Sequence, residues 1–158
     1  MSAIRNKLER YESIKSLGMA QARKEFSNVI NSSVNDDKIS VISHGKMLNA
    51  KNAYVIGEEM LKDILKFIRF NPLIEHVDGD VQISYEDFGF YGIGNNMEDA
   101  TSDLLESVKY LVVDYFSEDQ FPINMRYENT RKVHPYYLKL ATCHNDACLR
   151  EALGLQHS

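Results

Sequence analysis

The spacing of apolar positions divides the chain into short segments of alternating and helical character. Residues 14–17 read as a short strand, and from Met19 the apolar residues Met19, Ala22, Phe26, Val29 and Ile30 recur at intervals of three and four. That spacing predicts one helical face, opened after Gly18 and closed by the turn chemistry of Asn35-Asp36-Asp37. Ile39, Val41 and Ile42 read as a β run, His44-Gly45-Lys46 as a turn, and residues 53–56 as a return strand after an extended loop over 47–52. Gly57-Glu58-Glu59 opens a second helix, acidic where the helix dipole favours it, with Leu61, Ile64, Leu65 and Ile68 as its stripe.

Pro72 pushes Asn71 out of helical conformation, so the chain is expected to divide there. Beyond it, Asp78-Gly79 is a hairpin signal, Val81, Ile83 and Tyr85 alternate as a half-buried strand should, and the aromatic, glycine-rich residues 88–94 suit a further strand after a bend. Asn96 is placed to cap a long helix with Glu98 and Asp99 in its first turn. Its buried face would be Ala100, Leu104, Leu105, Val108, Leu111, Val112 and Phe116, with Pro122 as the stop. Residues 134–141 and 145–153 read as two short helices, the second closed by Gly154. The fold class that follows is α/β in the mixed, α+β sense: two small domains, 1–70 and 71–158.

Composition supports a folded protein, with 44% apolar and 26% charged residues in 158. No apolar run is long enough to span a bilayer, and the first residues lack the apolar core of a secretory signal, so a cytoplasmic setting without membrane contact is expected. The net charge of -5 conceals an asymmetry: residues 1–70 hold 12 Lys/Arg against 8 Asp/Glu, or +4, and residues 71–158 hold 6 against 15, or -9. A basic part suits phosphate backbones, and an acidic part suits a basic protein. Uneven scatter over solvated faces is the alternative.

Candidate chemistry narrows the picture further. Gly89, Gly92 and Gly94 do not have the spacing of a dinucleotide-binding turn, and the aromatics between them fit a packed strand. The adjacent carboxylates Glu86-Asp87, Glu98-Asp99 and Glu118-Asp119 point apart on a helix and do not converge on a substrate. Cys143, His144 and Cys148, with His134 and His157, match no standard zinc spacing, and a disulfide is not expected in a cytosolic chain. Two buried or half-buried thiols on one helix are expected instead, with no metal and no cofactor. Lys15, Ser16, Arg23, Lys24, His44 and Lys46 fall in the first strand, first helix and hairpin tip, a mixture of cations and short donors suited to DNA phosphates.

Those same segments carry a resemblance. Ala22-Arg23 at the helix opening, the apolar run from Phe26 to Ile30, the Ser-His-Gly-Lys tip at 43–46 and Ala53-Tyr54-Val55-Ile56 before the second helix resemble the N-terminal domain of prevent-host-death/YefM antitoxins. This tip has His44 where the family usually carries Arg. The stretch 78–112, with Asp99-Ala100 near its helix start, is similar to the core of HicB-type antitoxins. The resemblance implies a β-α-β-β-α domain that forms a homodimer, binds operator DNA and represses its own operon. It also implies a C-terminal part that neutralises a cognate toxin. A RelE-type toxin, a small basic ribonuclease, would suit the acidic part, with Glu86, Asp87, Glu118 and Asp119 as candidate contacts. No catalysis is expected of the chain. The readings of other classes are a small-ligand sensor or enzyme using the Gly/aromatic segment 88–94, and an interaction domain without a DNA role.

Overall fold

A computed structural model describes residues 14–44 and 51–155. The fold is mixed α+β, with two three-stranded sheets, and it divides into two compact units between Ile64 and Leu65. The break falls before the Asn71-Pro72 step, so residues 65–70 belong to the second unit, and Phe70 sits in that unit's core. Lys66 and Arg69 cross with them, which leaves +2 on residues 1–64 (10 Lys/Arg against 8 Asp/Glu) and -7 on residues 65–158 (8 against 15).

In the first unit, β1 (Ile14–Gly18) leads into α1 (Met19–Lys24) and α2 (Phe26–Asn35), then β2 (Ile39–His44), β3 (Lys51–Val55) and α3 (Glu58–Leu65), whose last residue is the first of the second unit. β1 pairs parallel to β2 with Gly18 opposite Ser43, and β2 pairs antiparallel to β3 with His44 opposite Lys51. The single helix expected from Met19 is interrupted at Glu25, whose ψ of 22° leaves the helical region. The interruption rotates the apolar set. Ala22 and Val29 turn inward to meet Leu17, with Ile42 and Val55 packed against them. Phe26 and Ile30, expected on the same buried face, remain outside at 62% and 39% exposure, and Val34 continues their line at 63%.

The second unit begins with the meander β4 (Leu73–Val77), β5 (Asp80–Tyr85) and β6 (Phe90–Gly94). Asp78 (φ 51°) and Gly79 (φ 96°) form the two-residue turn that the hairpin signal demanded. A turn of 3-10 helix over Glu86–Phe88 joins β5 to β6. The long helix α4 (Met97–Tyr115) then lies across the sheet, and Asn96 caps it by accepting the Asp99 N–H. Gly92 makes that contact possible, because a Cβ there would stand 2.4 Å from the Ala100 carbonyl oxygen. Asp103 on α4 also accepts the Ile93 N–H at 3.0 Å.

After α4 come α5 (Phe121–Asn124), α6 (Glu128–Lys132), α7 (His134–Ala141) and α8 (Asp146–Ala152). Pro122 does not stop α4. The helix ends at Tyr115, where Ser117 starts a new turn, and Pro122 stands in the first turn of α5. Two ion pairs tie α4 to α8. Arg150 grips both oxygens of Glu98, one at 3.0 Å, and Lys109 meets Asp146 at 2.6 Å. From β5, the buried Tyr85 hydroxyl donates to the Leu153 carbonyl at 2.6 Å. Lys139 on α7 donates to the Ile68 carbonyl, also at 2.6 Å. A chain of rings runs through this core, from Phe88 stacked on Phe90, through Tyr137, to Tyr115, which lies 4.0 Å from Tyr137 and borders Phe116, Phe121 and His134.

Candidate functional site

Because β1 and β2 are parallel, Gly18 and Ser43 reach the same end of the first sheet, and α1 departs from that end. Arg23 and Lys24 are exposed in the last turn of α1 rather than at a helix opening, because the helix breaks at Glu25. His44 is exposed at the end of β2. α1 therefore carries Arg23 and Lys24 away from the sheet end that also bears His44. Lys15 and Ser16 lie on β1, opposite Ser40 and Val41, three and two residues back from Gly18. At about 3.3 Å per residue that is roughly 7–10 Å along the strand. Lys46 lies outside the described residues.

The four candidate carboxylates of the second unit are all exposed, on two different connections. Glu86 and Asp87 form the 3-10 turn between β5 and β6. They line a cleft of about 270 Å³ together with Arg69, Ser84 and Tyr136. Glu118 and Asp119 occupy the turn between α4 and α5. The ring chain from Phe88 to Phe116 spans the core between these connections. None of the four pairs with a lysine or arginine among the described residues. Their charge is therefore open to a partner.

An apolar hollow of about 350 Å³ flanks α4, a feature the apolar pattern did not single out. Lys109, Val112 and Val113 of α4 and Phe116 just past its end form one wall, and Leu140, Cys143 and Leu149 form the other. Val113 is 73% exposed and Tyr110, one turn earlier, is 71% exposed. The signal was present in the sequence. Leu111, Val112 and Val113 are consecutive apolar residues, and a helix cannot turn three in succession toward one core. Phe116, at the rim of the hollow, is two residues before Glu118.

The glycines of the segment 88–94 serve packing. Gly92 and Gly94 admit α4, whose Ala100 backbone would lie 2.4 Å from a Cβ at either position. Of that segment only Phe88 reaches the cleft beside Arg69. Cys143 and Cys148 are not on one helix: Cys143 follows α7 and Cys148 lies in α8, and both are half-buried. Among the described residues no group of three or more His, Cys, Asp or Glu side chains could hold a metal. No helix among them is long and apolar enough to cross a membrane.

No curated protein matches the chain significantly. A solved structure from Syntrophomonas wolfei subsp. wolfei, described as the antitoxin part of a candidate toxin/antitoxin system, shares the fold with a TM-score of 0.74. It is 20% identical, and the match covers 90% of this chain and 96% of that one. A family model described as PHD-like, an antitoxin of RelE/RelB toxin-antitoxin systems, matches residues 14–154. With nearly its whole length matched, the chain belongs to this family of antitoxins.

Proposed function

We propose that this antitoxin neutralises a small basic toxin, RelE-type by preference, with its second unit. As a homodimer it binds operator DNA through the first, a prevent-host-death/YefM-type domain, and so represses its own operon in the cytoplasm. The observation that carries the toxin reading is the apolar hollow beside α4, whose lining residue Phe116 stands two residues before the exposed Glu118-Asp119 turn. A dry apolar centre with a charged rim is the usual anatomy of a protein interface. The carboxylates Glu86, Asp87, Glu118 and Asp119 would draw in a basic ribonuclease, and the hollow would hold one of its apolar side chains. Neutralisation then consists of covering the toxin's working surface, without catalysis by the antitoxin. The meander followed by a long helix is compatible with a HicB-like second unit.

Support for the dimer comes from the first unit's poverty of core. Among the described residues its buried apolar cluster is Leu17, Ala22 and Val29, while Phe26, Ile30 and Val34 form an exposed stripe at helical spacing on α2. A twofold partner would cover such a stripe. For DNA, the candidates remain Lys15, Ser16, Arg23, Lys24, His44 and Lys46.

The two contacts can be tested on the full chain. Val113→Arg should weaken the complex with the cognate toxin mainly by faster dissociation, whereas Glu118→Lys with Asp119→Lys should mainly slow association. Toxin affinity indifferent to all three changes would place the interface elsewhere. On operator DNA, a dimer neutralising about six phosphates should show a log–log salt slope of about -5. Arg23→Ala with Lys46→Ala should flatten that slope, and an unchanged slope would remove both residues from the contact.

A further inference from the structure

Cys143 and Cys148 are the chain's two cysteines, and their Sγ atoms lie 2.7 Å apart. Atoms not bonded to one another ordinarily rest at about 3.5–4.0 Å, and a disulfide bond is about 2.0 Å long. The two sulfurs are thus already most of the way from contact to bond. Neither backbone position is free to drift. The Cys143 N–H donates to the Leu140 carbonyl at 3.0 Å as α7 ends. The Cys148 N–H donates to Asn145 Oδ1 at 2.8 Å, the cap of α8. The Cys143 thiol lies along the Lys139 carbonyl at 3.8 Å, so its side chain is turned back toward α7 and the partner thiol.

We propose that Cys143 and Cys148 form a reversible disulfide, a thiol–disulfide modification site at the corner between α7 and α8. The oxidant class is a small-molecule disulfide such as oxidised glutathione. One cysteine, as its thiolate, attacks a sulfur of that disulfide and expels one small thiol. The second cysteine then attacks the mixed disulfide at the protein sulfur and expels the other small thiol. Two protein thiols lose two electrons and two protons in total, one S–S bond forms, and the small disulfide leaves as two thiols. Both cysteines are half-buried, so neither residue is sealed from solvent. Disulfides in reducing compartments are mostly of this transient kind. The bond closes a short ring, five residues apart in sequence, so it constrains the unfolded chain little and should be read by thiol chemistry rather than by melting.

The test uses the full chain equilibrated with glutathione at graded ratios of reduced to oxidised form. Samples are then quenched with N-ethylmaleimide and weighed intact. With rising oxidised fraction, the monomer should lose both maleimide adducts together and become two hydrogens lighter than the reduced chain. Dithiothreitol should restore both adducts. Cys143→Ser and Cys148→Ser should each retain a single thiol that takes either maleimide or one glutathione. Two maleimide adducts at every ratio would overturn the proposal. So would wild-type protein that accumulates glutathione on its cysteines without closing the bond.

Discussion

At Tyr85 one hydroxyl joins two layers of the second unit, because it donates from β5 to the Leu153 carbonyl just beyond α8. Burial holds this phenol well above its ordinary range, and Tyr115 and Tyr137 shift upward chiefly for the same reason. The unfolded chain releases these protons near pH 10, while the folded state keeps them. Their contribution to stability is therefore intact below about pH 10 and is lost as the pH rises beyond it. Tyr85→Phe should cost about 1 kcal/mol at neutral pH, since a buried carbonyl loses its donor. Its urea midpoint should also fall less steeply above pH 10 than that of the wild type. Parallel alkaline declines in the two proteins would show that Tyr85 does not set the slope. Gly92 acts through absence of a side chain. Gly92→Ala places a methyl group 2.4 Å from the Ala100 carbonyl oxygen and 2.5 Å from Leu104, so α4 must retreat from the sheet. About 1–3 kcal/mol of stability should be lost, measurable by denaturant unfolding.

At the scale of elements, local signals served where one residue type forces one geometry. Asp78-Gly79 specified its turn, Asn96 its cap, and the alternation of Val81, Ile83 and Tyr85 the inward face of β5. Failure came where packing outweighed local pattern. Periodicity alone joined α1 to α2, because the break at Glu25 leaves no proline or glycine to announce it. The short helices α5 and α6 span 4 and 5 residues, too few to show a repeat. Pro122 was read as a stop for α4, although a proline in a first turn is equally a start. The acidic turns were legible as charges, but the apolar hollow that gives one of them a setting needs three helices brought together. The break at Glu25 also exposes the stripe of Phe26, Ile30 and Val34. Phe26→Glu with Val34→Glu should convert the proposed dimer to monomers in sedimentation without emptying the Leu17–Ala22–Val29 cluster. A dimer that survives both charges would assign the stripe another role.

Across the whole molecule the two units are unequally provided for. The second has fourteen buried apolar residues in one cluster, fed by a meander and a helix that follow each other directly along the chain. The first unit's cluster has three among the described residues, and its parallel β1–β2 pair must be bridged by two helices before it can form. Opening free energy scales with the apolar contact a segment surrenders, so the first unit should open more often than the second. A protease that samples open forms would then cut within residues 14–64 first and leave a resistant fragment beginning near Leu65. Limited digestion with mass mapping should show that order, and early cuts inside α4 would contradict it. The consequence reaches the cell's timing. On the division of labour proposed above, as the antitoxin ages its grip on the operator would lapse before its hold on the toxin, so synthesis of fresh antitoxin would resume while the old copies still restrain the poison.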